Sequence, residues 1–167
     1  MILVTHAVVG AGIASVARLH PISAFIVGFL SHFVLDTIPH WDYHLKSSTK
    51  GSVANPIDGD FVIGRDFYFD LIKIGLDFLL GLVLPLIFFS QGMSLLDFVT
   101  SGILWGAIGG MTPDFLQFVY SKFRHEPMVS LQRFHIFMHA DRRLNDSYIL
   151  GPLIQAGLIA GTILVCL

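Results

Sequence analysis

The chain has 167 residues, of which 54% are hydrophobic and 13% charged, with a mean hydropathy of +0.72. Soluble domains run at about 45–50% apolar and about 25% charged, so lipid is the expected solvent. A net charge of −2 with no basic face argues against nucleic acid, and the single cysteine, Cys166, excludes an intrachain disulfide and a thiolate metal site.

The length suits one domain, 1–167, all-α and membrane-embedded. Residues 2–17 form a first apolar run. Its Ser15-Val16-Ala17 resembles a cleavage site, but no positive segment precedes it, so it is expected to stay. Arg18, His20 and Pro21 interrupt, and 22–38 form a second run. The third is Phe67–Phe89, the fourth Leu95–Val119 and the fifth Tyr148–Leu167. A spanning helix needs about 17–25 residues, so about five transmembrane helices are expected, the first two near the short limit. Gly102, Gly106 and Gly110 form a small-residue stripe on the fourth run, and Gly157 and Gly161 do the same on the fifth, each predicting close helix approach.

Two polar stretches, 39–66 and 120–147, separate the runs. The first is a Ser/Gly/Asn/Pro-rich loop. In the second, Leu131, Phe134, Ile136, Phe137 and Met138 predict a short interfacial helix. With five spans, Lys46, Lys50, Arg65, Lys122, Arg124, Arg133, Arg142 and Arg143 share one side and Arg18 has the other. The Lys/Arg excess predicts a multi-pass inner-membrane protein with its N-terminus cytoplasmic and its C-terminus outside.

This topology gathers ligand-type residues at the cytoplasmic face: His6, His32, Asp36, His40, Asp114, His135 and His139. His32 and Asp36 lie four apart on one helix face, as do His135 and His139. Imidazoles and carboxylates at that spacing suit a divalent metal, zinc first and manganese second. The set exceeds one tetrahedral ion and suits two ions sharing a carboxylate, about 3.5–4 Å apart, which activate water and clamp a phosphoryl oxygen. Bland readings stand beside these. Thr112-Pro113-Asp114 also has the look of a helix start, with Asp114 in its first turn. His6 also fits a satisfied polar residue in a bundle. His44 and His125 read as loop histidines, and Asp58-Gly59-Asp60 as a turn.

Asp42 reads as general base, as a further ligand or partner of a histidine, or as a solvated acid. Asp70, Lys73 and Asp77 share a stripe on the third run. They read as a packing ion pair, or as support with Asp77 or Lys73 reaching toward the site or a substrate phosphate. Arg142 is a candidate phosphate clamp beside Arg143, or a membrane anchor.

Thr5-His6, SHFVLDTIPH and Thr112-Pro113-Asp114 after a glycine-rich helix together resemble the membrane-bound metal-dependent hydrolases of bacteria and archaea. That group includes LexA-regulated inner-membrane members and is distantly similar to the zinc-dependent phospholipases C. The resemblance implies His6, His32, Asp36 and Asp114 as metal ligands. Phe115-Leu116-Gln117 departs from the Asp-rich continuation of many members, and LQRFHIFMHADRR stands in place of their second histidine segment. The expected activity is metal-assisted hydrolysis of a phosphoester such as a lipid headgroup, with membrane lipid as partner and substrate. A metal-ion transporter, a metal-binding protein without hydrolytic activity, a haem protein with paired histidines and a purely structural membrane protein are the rival readings.

Overall fold

A computed structural model describes residues 1–167 apart from 50, 52–55, 141–143 and 145–146. The described residues form seven α-helices: α1 (Leu3–Val16), α2 (Pro21–Asp36), α3 (Arg65–Phe89), α4 (Leu95–Thr100), α5 (Gly102–Lys122), α6 (Met128–Met138) and α7 (Leu150–Cys166). A two-residue ladder, β1 (Ser48–Thr49) with β2 (Asp60–Phe61), pairs antiparallel in the loop before α3. The protein is therefore mostly helical, as expected.

The polar residues outside the central cluster explain where helices begin. His20 is the N-cap of α2, with Pro21 at the first helical position, where its missing N–H costs nothing. Ser94 and Asp97 form a reciprocal capping box at α4. Ser101 then ends α4 and caps α5, so the fourth apolar run is two helices rather than one. Thr112-Pro113-Asp114 lies inside α5 and starts no helix. Thr112 bonds back to Ile108 O at 2.7 Å, and Pro113 is fully buried. Tertiary packing here overrides a local N-terminal signal.

α5 is the central helix, packed against α1 and α2 along its length and against α3 and α6. Glycine makes this possible. An added Cβ at Gly106 would sit 2.5 Å from Gly10 O, and one at Gly10 or Gly28 would run into Gly106 O. An added Cβ at Gly110 would run into His6 O. Three backbones thus meet where side chains would hold them apart. The second expected stripe behaves differently. Nothing lies within 4 Å of a Cβ added at Gly157 or Gly161, so α7 uses neither for close packing.

Among the described residues, one helix is long and apolar enough to cross a membrane: α3, with 25 residues. α1, α2 and α7 are apolar but shorter, at 14, 16 and 17 residues. α3 exposes Tyr68, Phe69, Leu71, Ile72, Leu76, Leu79, Leu80, Val83 and Ile87. The fully buried large side chains, by contrast, include His6, His32, Asp36, His40 and Gln155. These polar groups lie beside a buried apolar core that includes Leu3, Val4, Val8, Phe98, Ile103 and Met111, while α3 keeps a large apolar surface outside it.

Candidate metal centre

The inward polar groups converge at one end of α1, α2 and α5. α2 carries His32 and Asp36 on one face, and His40 extends that four-residue spacing just past the helix end. α6 carries His135, and His139 is its C-cap. Two backbone bonds splice the segment after α6 onto the end of α2: Ala140 N donates to Asp36 O at 2.8 Å and Leu144 N to His40 O at 2.9 Å. That splice sets α6 in register with α2.

The register produces two rungs. His32 Nε2 and His135 Nε2 are 3.3 Å apart, and each is 3.1 Å from Asp36 Oδ2. Asp114 Oδ1 lies 3.8 Å from His32 Nε2 and 3.9 Å from His135 Nε2. In the second rung His40 Nε2 and His139 Nε2 are also 3.3 Å apart. Asp42 Oδ1 is 2.9 Å from His40 Nε2, and its Oδ2 is 3.6 Å from His139 Nε2. Asp36 stands between the rungs. Its Oδ1 faces His6 Nε2 at 3.3 Å and His40 Nε2 at 3.8 Å. The Met1 amino nitrogen sits between Asp36 Oδ1 at 3.3 Å and Asp42 Oδ1 at 2.9 Å.

Tautomers sharpen what this geometry requires. His32 Nδ1 lies 2.8 Å from Gly110 O and His40 Nδ1 2.6 Å from Ile38 O. A carbonyl only accepts, so both Nδ1 atoms donate. In the neutral imidazoles Nε2 is then a lone pair, the form a metal ligand needs. His32 Nε2 and His40 Nε2 each face a carboxylate oxygen, acceptor against acceptor, at 3.1 and 2.9 Å. Such contacts need a proton or a metal ion between them. His6 is fully buried beside Asp36, stacked on His32 at 3.9 Å, and neither of its ring nitrogens makes a hydrogen bond. A tetrahedral ion with arms of about 2.0–2.1 Å has ligand-to-ligand edges of about 3.3 Å. The rung spacings match those edges. His6, His32 and Asp36; His32, Asp114 and His135; and Asp36, His40 and His139 each form a group able to hold a metal ion. The buried His/Asp cluster therefore suits a divalent cation.

Electrostatics outside the helices agree. Burial alone would raise the Asp42 carboxyl, but the His40 bond and the adjacent amino group outweigh it and hold it below the usual carboxylate range. Burial lowers His139 to about 4, with Asp42 and Asp36 opposing. Both groups are thus held in their metal-binding protonation states at neutral pH.

A supporting layer lies behind the cluster, and the sequence reading missed most of it. Tyr43 OH donates to Asp77 and accepts from Leu3 N at 3.1 Å, while Val4 N donates to Asp77 Oδ2 at 3.3 Å. Burial, and then the Asp77 carboxylate, push the Tyr43 phenol above its ordinary range. Buried Gln155 of α7 accepts from Ile2 N at 2.9 Å and donates to Trp41 O at 2.9 Å. These bonds fix the start of α1 against the loop that carries Asp42. Gln155 offered no motif; its one signal was a lone amide in an apolar run.

All seven expected ligands, with Asp42, come together. Lys73 bonds to Asp70 at 3.0 Å, half its side chain exposed. Asp70 is held further by Ser47 N and Oγ at 2.8 and 2.9 Å. Asp58 and Asp60 pair with Arg124 and Lys122, clamping the hairpin loop to the end of α5. His44 is exposed, in a row with Trp41 and Tyr148. Arg142 and Arg143 lie outside the described residues.

Comparison with protein-family models, curated proteins and solved structures found no match to this chain.

Proposed function

We propose that the chain is a membrane-embedded, metal-dependent hydrolase of a phosphoester, with a lipid headgroup as substrate class. The observation that carries this reading is the position of Asp36. Its Oδ2 faces His32 and His135, and its Oδ1 faces His6 and His40. A carboxylate with one oxygen toward each of two imidazole groups is suited to bridge two ions, the arrangement of many hydrolytic sites. Zinc is the first choice from the imidazole content, and manganese the second from the carboxylates. When bound, such ions supply Lewis acidity and lower the pKa of water toward about 7. In hydrolysis water adds to phosphorus, the ester P–O bond breaks, and the alcohol leaves.

The residues of the chain orient and enclose the site. Gly110 O and Ile38 O hold His32 and His40 by Nδ1, so neither ring can turn its Nε2 away. Exposure is graded across the cluster: Asp114, Asp42 and His139 have side chains 24%, 20% and 14% exposed, while His6, His32, His40 and Asp36 are at 1% or below. Phe115, Phe134 and Phe137, neighbours of Asp114 and His135 in sequence, are exposed. Exposed aromatic side chains next in sequence to site residues favour a substrate held at a lipid surface. The outward apolar faces favour a multi-pass inner-membrane placement in which α1, α2, α3, α4 with α5, and α7 make the five passes. The Lys/Arg bias favours a cytoplasmic site, and Arg142 is the proposed phosphate contact.

The test is hydrolysis by detergent-purified protein loaded with zinc or manganese. The substrates are a chromogenic phosphodiester and phospholipid vesicles. Turnover lost in Asp36→Asn is the expected result. Metal flux into proteoliposomes without cleavage of either substrate would replace this reading with a transporter.

A further inference from the structure

We infer that Asp42 is a ligand of the second ion, so that the cluster holds two half-sites of the same composition, with Asp36 common to both and His6 beside its Oδ1. The inference deepens the two-ion reading above and withdraws Asp42 from the role of general base. The first half-site is His32, His135 and Asp114; the second is His40, His139 and Asp42. Each joins one histidine from the α2 stripe to one from α6 at the same separation, 3.3 Å. Each has one more carboxylate beside that pair. In the second, Asp42 approaches more closely than Asp114 does in the first: 2.9 Å to His40 Nε2 and 3.6 Å to His139 Nε2, against 3.8 and 3.9 Å. These second-rung distances bracket the edge of about 3.3 Å that a tetrahedral ion requires.

Two independent observations point the same way. His40 Nδ1 donates to Ile38 O, so Nε2 of the neutral ring and Asp42 Oδ1 face each other as two acceptors at 2.9 Å. A cationic group, the Met1 amino nitrogen, occupies the space between Asp42 Oδ1 and Asp36 Oδ1. The two carboxylates therefore converge on one point. A general base must instead keep a lone pair aimed at substrate-side water, and both Asp42 oxygens are directed at imidazole nitrogens of one rung.

The experiment is metal stoichiometry by elemental analysis of detergent-purified protein reloaded with zinc alone. Two ions per wild-type chain, one in Asp42→Asn, one in Asp114→Asn and fewer than one in Asp36→Asn are expected. Cobalt loading gives a second readout, the visible absorbance per chain falling about twofold in Asp42→Asn. Two ions retained in Asp42→Asn would overturn the assignment, as would a single ion in the wild type. If Asp42→Asn does not fold, His139→Gln serves in its place, with one ion expected and two overturning. No turnover is measured, so a chain that holds two ions and cleaves nothing would end the hydrolase reading and leave this one standing.

Discussion

His32 Nε2 stands 3.3 Å from His135 Nε2, although 103 residues separate them in the chain. The pair joins α2 to α6, a helix with few other contacts to the bundle. An ion held there, and at the second rung, ties α6 down. Chelator-treated protein is therefore expected to melt at a lower temperature, and zinc to restore it. At about 100 times Kd one ion adds about 2.7 kcal/mol if the unfolded chain binds none. Thermal unfolding across a zinc series checks this, and a melting temperature indifferent to zinc and chelator would contradict it.

Much of this site was legible because helical spacing is rigid. Residues four apart share a helix face wherever that helix ends up, so His32 with Asp36, and His135 with His139, were readable as pairs. The Gly102, Gly106 and Gly110 stripe likewise foretold close packing on α5. What the spacing could not show was the partner. Gly10 and Gly28 sit in short small-residue pairs with Ala14 and Ala24, and only the crossing of α1 and α2 over α5 shows what those faces meet. Gly157 and Gly161 have the same pattern as the α5 stripe and meet nothing. Thr112-Pro113-Asp114 misled locally because a helix can absorb a proline where packing on both sides replaces the lost bond. The Tyr43–Asp77 support was hidden for another reason: its partners lie on a loop and a distant helix, at no fixed spacing.

The glycine contrast gives a paired prediction. Gly110→Ala forces α5 and α1 apart at His6, because the new Cβ runs into His6 O. Overpacking of this kind costs about 1–3 kcal/mol. It also displaces His6 from Asp36, so bound metal is expected to fall. Gly157→Ala meets open space and gains helix propensity, for a change of about 0.5–1 kcal/mol in the stabilising direction. Unfolding and metal content measured on both variants check the pair. Equal effects would show that the α5 stripe carries no special contact.

Tyr43 supplies a third. Removing its hydroxyl in Tyr43→Phe leaves Leu3 N and Asp77 each short of a partner. Hydrogen bonds to charged groups contribute about 1.5–3 kcal/mol, and a loss in that range is expected. A double-mutant cycle with Asp77→Asn separates the shared bond from the rest. Additive losses would mean that the two side chains act independently.

His139 makes metal-free stability depend on pH. Its folded pKa, lowered by burial to about 4, lies below the unfolded value near 6.5. As pH falls from about 6.5 to about 4 the unfolded chain takes up a proton that the folded chain refuses. Stability therefore drops through that window and levels off below it, by at most about 3–4 kcal/mol. Denaturant unfolding of metal-free protein at successive pH values should show the slope, and His139→Gln should make it shallower. An unchanged slope in that variant would assign the effect to other groups.

The outward face of α3 tests the membrane reading. Leu76 and Leu79 lie near the middle of this 25-residue helix, both exposed, on a surface of aromatic and aliphatic side chains that Lys73 interrupts. In water such a face is costly; in lipid it is the ordinary condition of a spanning helix. Arginine at the centre of a membrane helix costs about 2.5–3.5 kcal/mol for insertion. Leu79→Arg is therefore expected to cut the membrane-integrated fraction severalfold. The same change at Leu95, exposed at the first position of α4, sits where arginine can reach water, and should have little effect. Alkaline extraction of membranes expressing each variant reads the difference. If Leu79→Arg is as well integrated as wild type, α3 does not cross a bilayer, and its apolar face must be covered by something other than lipid.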